Sequence, residues 1–494
     1  MKKVKIYLSC IAVSGLLFMG ACSNDFLDVE PTDAVSEDLV ASSGENLMAA
    51  INGMHRNMYK RQNDSQGQNG YTAQMINADV MGEDVILPTT GNGWFVTVLR
   101  WLHTDNESSS YVSYPWDFWY SMIKNANIVL ANGEEAEGDP LLVNKALGEA
   151  HAYRAFGHFQ LVQMFGKRYV AGEANDALGV VIRTDGYDND PKPRATVQEV
   201  YDQVWEDLEK AEELLDGTTH TNNSHFSVAN VRGIMARVAL VQQDYEKAAS
   251  YAEAAREGYS LMSADDYKSG FNDYKNGEWM WGIHIQEDQS DGYGNFMAFM
   301  SRNYASTQIR TSPKVMNVLL YDAFPDSDVR KQLVDPTGLH EDLDLPSNFS
   351  KFEYTSQKFM AASTSLSIGD VPFMRAAEMY LIEAEAKYKM NQEAASKLVL
   401  AELVSARDPE FLAFTTTGEA YYEELLLQRR MELWGEGFRF FDLKRLGRKL
   451  DRTDTNTSRT VINNLYVVEP DDTRWQWAIP RQEINANEEI EPNP

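Results

Sequence analysis

Two stretches of this chain repeat one device. In SVANVRGIMARVALVQQDYEKAASYAEAAREGY (227–259), two helical patterns meet at Gln242, Gln243 and Asp244, and small Ala236, Ala239 and Ala248 let the pair approach closely. In RAAEMYLIEAEAKYKMNQEAA (375–395), Ala386 and Ala395 recur at the nine-residue spacing that separates Ala239 from Ala248. A helical hairpin of this tetratricopeptide type cannot bury its apolar face alone and needs stacked neighbours. About 147 residues separate the corresponding alanines, so the hairpins do not form a tandem array. The chain therefore reads as mostly α: helical hairpins with an inserted loop-rich subdomain containing short strands.

The remaining patterns agree. Leu47, Ile51, Met54 and Met58 predict a helix over 45–60; Trp116, Trp119, Tyr120, Ile123 and Asn127 predict another over 116–131. Residues 141–166 read as a long amphipathic helix stopped by Gly166. Thr196 and Glu199 form a capping-box signature ahead of VQEVYDQVWEDLEKAEELL. The insert spans about 260–370, where Gly, Pro, Asp and Ser interrupt any period, and EWMWGIHI (278–285) alternates like a short strand. Residues 421–447 read as a helix that breaks around Gly435 and Gly437 and then resumes.

The N-terminus carries a different signal. Lys2, Lys3 and Lys5 precede an uncharged run from Ile6 to Ala21, which describes a secretory signal over 1–21 and is short for a membrane span. Gly20, Ala21 and Cys22 resemble the lipobox of bacterial lipoproteins, with Met19 where Leu is usual. Cys10 lies inside the signal, so the exported chain keeps only Cys22 and can form no internal disulfide or cysteine zinc site. Lipidation of Cys22 is the expected use, since acyl chains anchor a protein without a spanning helix. Removing 1–21 takes the net charge from −29 to −32, which argues against nucleic acid as a partner.

Seven stretches in order carry a family resemblance: CSNDFLDVEP (22–31), EAHAYRAFGHFQLVQMFG (149–166), VYDQVWEDLEKAEELL (200–215), ARVALVQQDYEKAASYAEAA (236–255), DVPFMRAAEMYLIEAEA (370–386), LQRRMELWGEGFRFFDLKR (427–445) and WAIPRQEINANEEIEPNP (477–494). Together they resemble the RagB/SusD family of Bacteroidetes outer-membrane lipoproteins. The resemblance implies one SusD-like domain over 22–494, held at the cell surface by lipid on Cys22. It also implies a SusC-type TonB-dependent barrel as partner and an oligosaccharide as ligand. Some relatives serve peptide uptake instead, and a secreted glycoside hydrolase is the more distant alternative.

Binding sugar without catalysis needs flat apolar faces and hydrogen-bonding groups. Two loop regions offer both. Residues 78–101 contribute Asp79, Asn92, Trp94, Arg100 and Trp101; residues 287–304 contribute Tyr293, Asn295, Phe296 and Tyr304. Trp116, Trp119, Trp279 and Trp281 follow helix or strand periodicity and are assigned to packing. No catalytic residues, cofactor or metal ligands are expected. His151 and His158 lack H-E-x-x-H spacing and read as ordinary helix histidines. Asp185, Asp188 and Asp190 lack the Gly and distal Glu of a calcium loop, leaving a structural surface calcium as a minor reading. Glu432 and Glu436 invite comparison with a glycosidase carboxylate pair. Their arginine-rich surroundings, Arg429, Arg430 and Arg439, favour ion pairs instead.

Overall fold

Several helix starts in this protein follow local capping chemistry. The computed structural model describes residues 43–493. The longer helices are α1 (Gly44–Asn57), α2 (Gly70–Val80), α3 (Ser110–Asn132), α4 (Pro140–Phe165), α5 (Val197–Leu215), α6 (Val228–Gln242) and α7 (Tyr245–Arg256). The insert holds the short α8 (Phe296–Met300), and after it come α9 (Ala376–Lys389), α10 (Glu393–Arg407), α11 (Glu419–Glu432) and α12 (Arg439–Leu446). Asp139 caps α4, whose first residue is Pro140. Both halves of the Thr196–Glu199 capping box form at α5, and Ser227 with Asn230 makes a second box at α6. Gln243 closes α6 with φ +62, so the turn into α7 needs only that residue and the Asp244 cap.

The helices stack in chain order. α3 packs on α4, α4 on α5, α5 on α6 and α6 on α7. α7 then packs directly on α9, and α9 on both α10 and α11. The two alanine-rich hairpins are therefore neighbours in space, and everything between α7 and α9 is an excursion from the stack. Ala236, Ala239, Ala248 and Ala386 are fully buried at these crossings. α1 lies across α4.

The excursion is closed at its base by strands β2 (Trp279–Ile283) and β6 (Val371–Arg375), paired antiparallel with a bulge. β2 is the strand expected from the alternation in 278–285. Its partner β6 lies in DVPFMR, just ahead of α9. Short strands β1 (Val85–Ile86), β3 (Val315–Met316), β4 (Val334–Asp335) and β5 (Thr355–Ser356) form a sheet in the order β1-β3-β5-β4, which stitches the insert to the loop after α2. A small pair, β7 (Leu450–Asp451) and β8 (Val467–Val468), follows α12.

A buried ionic cluster locks insert to stack. Arg375, at the end of β6, contacts Glu278, Glu432 and Glu436. Arg407 of α10 bridges Glu278 (2.7 Å) and Glu432 (3.1 Å). Arg330, from the insert, reaches Glu432 (3.2 Å) and Asp328 (2.7 Å), and Lys358 reaches Glu436 (2.6 Å). Burial opposes ionisation of Glu432, but the three guanidiniums hold its carboxyl well below the usual range. Thus Glu432 and Glu436 are buried ion-pair members with no room for a substrate. Their partners are Arg330, Arg375, Arg407 and Lys358. Arg429, Arg430 and Arg439 pair instead with Asp442, Asp84 and Glu83.

The break between α11 and α12 comes from Gly435 and Gly437, with φ +81 and +90. A Cβ at Gly437 would stand 2.7 Å from the Met75 Cα, so only glycine lets α2 approach here.

Candidate functional site

Three loops meet beside the end of α1. The turn 61–69 is closed by a bridge between Arg61 and Asn69. The segment 286–295 docks onto this region: the Tyr59 hydroxyl donates to Gln289 Oε1 (2.8 Å), Arg56 donates to the Gln289 carbonyl (3.1 Å), and Arg61 pairs with Asp291 (3.4 Å). The third loop, 88–95, brings Trp94 against the same turn. A Cβ on Gly67 would come within 2.8 Å of the indole, so the turn forms a glycine floor under Trp94. Phe299 of α8 buttresses the indole edge-to-face, with centroids 6.2 Å apart.

Tyr293 projects from the docked segment between Gly292 and Gly294, and 59% of its surface is exposed. It leans on buried Tyr304, with ring centroids 6.1 Å apart. Exposed Leu366 adjoins Ser367, which receives a hydrogen bond from Asn295 (2.8 Å). Asn92 is exposed at the tip of the 88–95 loop, between Gly91 and Gly93 at φ +50 and +94. Trp94 is thus half-buried on Gly67 and Phe299, Tyr293 is exposed over Tyr304, and Asn92 is exposed at its loop tip, each carried by one of the loops around the 61–69 turn. Nothing in residue type or spacing marked Gly67 or Phe299 as supports, and Tyr304, legible as an aromatic of the 287–304 loop, is buried beneath Tyr293.

Five other residues expected at the site have interior or local duties. Trp101 is 1% exposed at φ +53; its indole N–H donates to the Met81 carbonyl (3.0 Å), and Trp475 packs edge-on at 4.6 Å. Asp79 is buried and accepts the Gly437 and Arg439 backbone N–H groups (2.8 and 3.2 Å), which caps the start of α12. Burial pushes its carboxyl up to about 7 despite those donors. Asn295 is the cap of α8, its Oδ1 accepting from Ala298 N–H (3.0 Å). Phe296 is buried edge-to-face against Phe359 at 5.0 Å. Arg100 is half-buried and donates to the carbonyls of Val461 (2.8 Å) and Thr460 (3.2 Å). Burial removes Trp101, Asp79, Asn295 and Phe296 from the ligand-facing set.

The other sequence candidates also have defined places. Trp116, Trp119, Trp279 and Trp281 are buried in the core. His151 pairs with Asp207 (2.8 Å), while buried His158 accepts from the Arg183 N–H (3.3 Å), burial holding it down to about 4. Asp185 and Asp188 accept the backbone N–H groups of Tyr187 and Asp190, and Asp188 pairs with Lys192. A separate cavity of about 380 Å³ is lined by Trp116, Tyr120, Asn127, Arg183, Asp185 and Glu483. Neither Trp94 nor Tyr293 reaches it.

Stacked helical hairpins interrupted by an irregular, strand-closed excursion define the class of fold, and the comparisons give it a family. A family model described as starch-binding, associating with the outer membrane, matches residues 25–240; the SusD family model matches 327–494. The chain belongs to the SusD/RagB family. It is similar to SusD-like protein P38 of Formosa agariphila, with 23% identity across 91% of this chain and 93% of that one. A SusD-like carbohydrate binding protein of Bacteroides vulgatus has the same fold, with a TM-score of 0.78, 25% identity, and 91% and 97% of the two chains covered. A laminarin-binding SusD-like protein matches with a TM-score of 0.71, 19% identity, and 92% and 99% coverage. Among the described residues no helix is long and apolar enough to cross a membrane, and Cys22 lies outside them.

Proposed function

We propose that this chain is a cell-surface glycan-binding lipoprotein. It captures an oligosaccharide on the rim formed by Trp94, Tyr293 and Asn92 and passes it to a SusC-type TonB-dependent outer-membrane transporter. The observation that carries the reading is Tyr293: a 59%-exposed aromatic ring braced by buried Tyr304. A pyranose presents apolar C–H faces and equatorial hydroxyls; the aromatic rings accept the faces, and the Asn92 amide is placed for the hydroxyls. Family membership and the carbohydrate and laminarin binding of similar proteins support the carbohydrate class. The role is capture without turnover, in keeping with the burial of Glu432 and Glu436 in ion pairs. Anchoring falls to acylated Cys22, which places the rim outside the cell.

The test is a glycan array followed by calorimetry on the best ligand, comparing wild type with Tyr293→Ala and Trp94→Ala. The expected result is binding without released reducing sugar, weakened by each substitution while circular dichroism stays unchanged. Undiminished binding in both variants would place the ligand elsewhere, and binding only from a peptide pool would replace the glycan by a peptide.

A further inference from the structure

Three buried side chains outside the glycan rim converge on one point. His55 lies in the last turn of α1, Glu149 midway along α4, and His225 in the loop before α6. His55 Nε2 lies 3.1 Å from Glu149 Oε2 and 2.9 Å from His225 Nδ1; His225 Nδ1 lies 3.0 Å from Glu149 Oε1. We propose that His55, Glu149 and His225 form a binding site for one divalent transition-metal ion of the zinc class.

Proton counting favours a shared cation. Each imidazole nitrogen offers either one proton or one lone pair in the ring plane. Hydrogen bonding among two rings and a carboxylate therefore serves at most two of the three short edges, and like faces like across the third. A metal ion accepts a lone pair from all three atoms together. Four tetrahedral ligands at about 2.0–2.1 Å from zinc stand roughly 3.3 Å apart, so shifts of a few tenths of an ångström seat the ion. Two imidazoles with one carboxylate suit zinc, cobalt or nickel better than calcium or magnesium, which take oxygen.

The surroundings fit the same reading. Tyr153, one turn beyond Glu149 on α4, sets its hydroxyl against His55 Nδ1. By accepting the Nδ1 proton it turns the Nε2 lone pair toward the site, as outer partners of metal-bound histidines do. Elsewhere on the stack a buried carboxylate meets a guanidinium: Asp207 meets Arg154, Glu378 meets Arg237, and Glu385 meets Arg445. Glu149 meets two imidazoles and the Phe226 N–H (3.3 Å). Lys145, one turn earlier, directs its ammonium to the Thr219 carbonyl (2.7 Å) and to Thr221. With side-chain exposures of 9%, 0% and 9%, the trio makes a buried site of three protein ligands, whose fourth position falls to a water. The ion ties α1 and the 216–227 loop to α4.

The experiment uses the full-length chain without a histidine tag, purified in detergent and dialysed against chelator at mildly elevated temperature. Zinc chloride or cobalt chloride is then added, followed by desalting and elemental analysis. The expected result is one ion retained per chain, a higher melting temperature, and the visible ligand-field bands of four-coordinate cobalt. Glu149→Gln and His225→Gln should weaken retention at least about tenfold with an unchanged circular dichroism spectrum. Retention far below one equivalent, or equal retention in folded variants, overturns the site. Should both variants misfold, the wild-type cobalt spectrum decides alone, and absence of the ligand-field bands overturns the proposal.

Discussion

Arg375→Met should destabilise this protein far more than an ordinary substitution, for a reason that can be counted. The buried cluster joins four carboxylates, Glu278, Asp328, Glu432 and Glu436, to four cations, Arg330, Arg375, Arg407 and Lys358. Its formal charge is zero, and Arg375 touches three of the four acids. Removing that one cation leaves a net buried negative charge, at a cost of about 3–5 kcal/mol. With about 2.1 cal/mol/K of unfolding entropy per residue, a fold of this length shifts by about 1 °C per kcal/mol, so the melting temperature should fall by about 3–5 °C. Arg375→Met combined with Glu436→Gln restores the balance and should recover at least about 1 kcal/mol. The sign of the pH dependence follows from the depressed carboxyls of Glu432 and Glu436. Their contribution is full above the unfolded carboxylate pKa of about 4.3 and is lost as pH falls through the lower folded values. The gap between wild type and Arg375→Met should therefore hold from pH 7 to about pH 5 and narrow below about pH 4. Differential scanning calorimetry measures all of this. A single-variant loss below about 1 kcal/mol, or a double variant worse than the single, would refute the charge-balance reasoning.

Other substitutions separate the remaining roles. Trp101→Ala should cost about 3–5 kcal/mol of stability, read by chemical denaturation, because it empties a core site; Asn92→Ala should leave stability within about 0.5 kcal/mol. Gly437→Ala should lose about 1–3 kcal/mol, since φ +90 and the Met75 backbone both oppose a Cβ, again checked by denaturation. Cys22→Ser should move the protein from the membrane fraction to the soluble fraction, followed by fractionation and mass spectrometry of the mature N-terminus.

The helical part of this fold was readable because its cues are local. Ala236, Ala239 and Ala248, the Thr196–Glu199 box and the Gly435–Gly437 break each act within a turn or two. That α7 would pack on α9 across the whole insert was not readable, since stacking depends on the closure made by β2 and β6. β6 itself hid in DVPFMR, where a strand runs without a break into α9. At the candidate site the loops were legible as regions, but exposure was not. Trp94 and Trp101 sit seven residues apart, yet Trp94 is only half-buried while Trp101 is in the core, on a left-handed backbone. His55, Glu149 and His225 carry no spacing signature at all, because three different elements bring them together.

The central claim concerns where a sugar sits, and a crystal structure with a bound oligosaccharide measures that directly. The account predicts a pyranose face within about 4 Å of the Tyr293 ring, with Trp94 and Asn92 in contact. A sugar seated instead in the cavity of Trp116 and Tyr120, leaving Tyr293 bare, would contradict it.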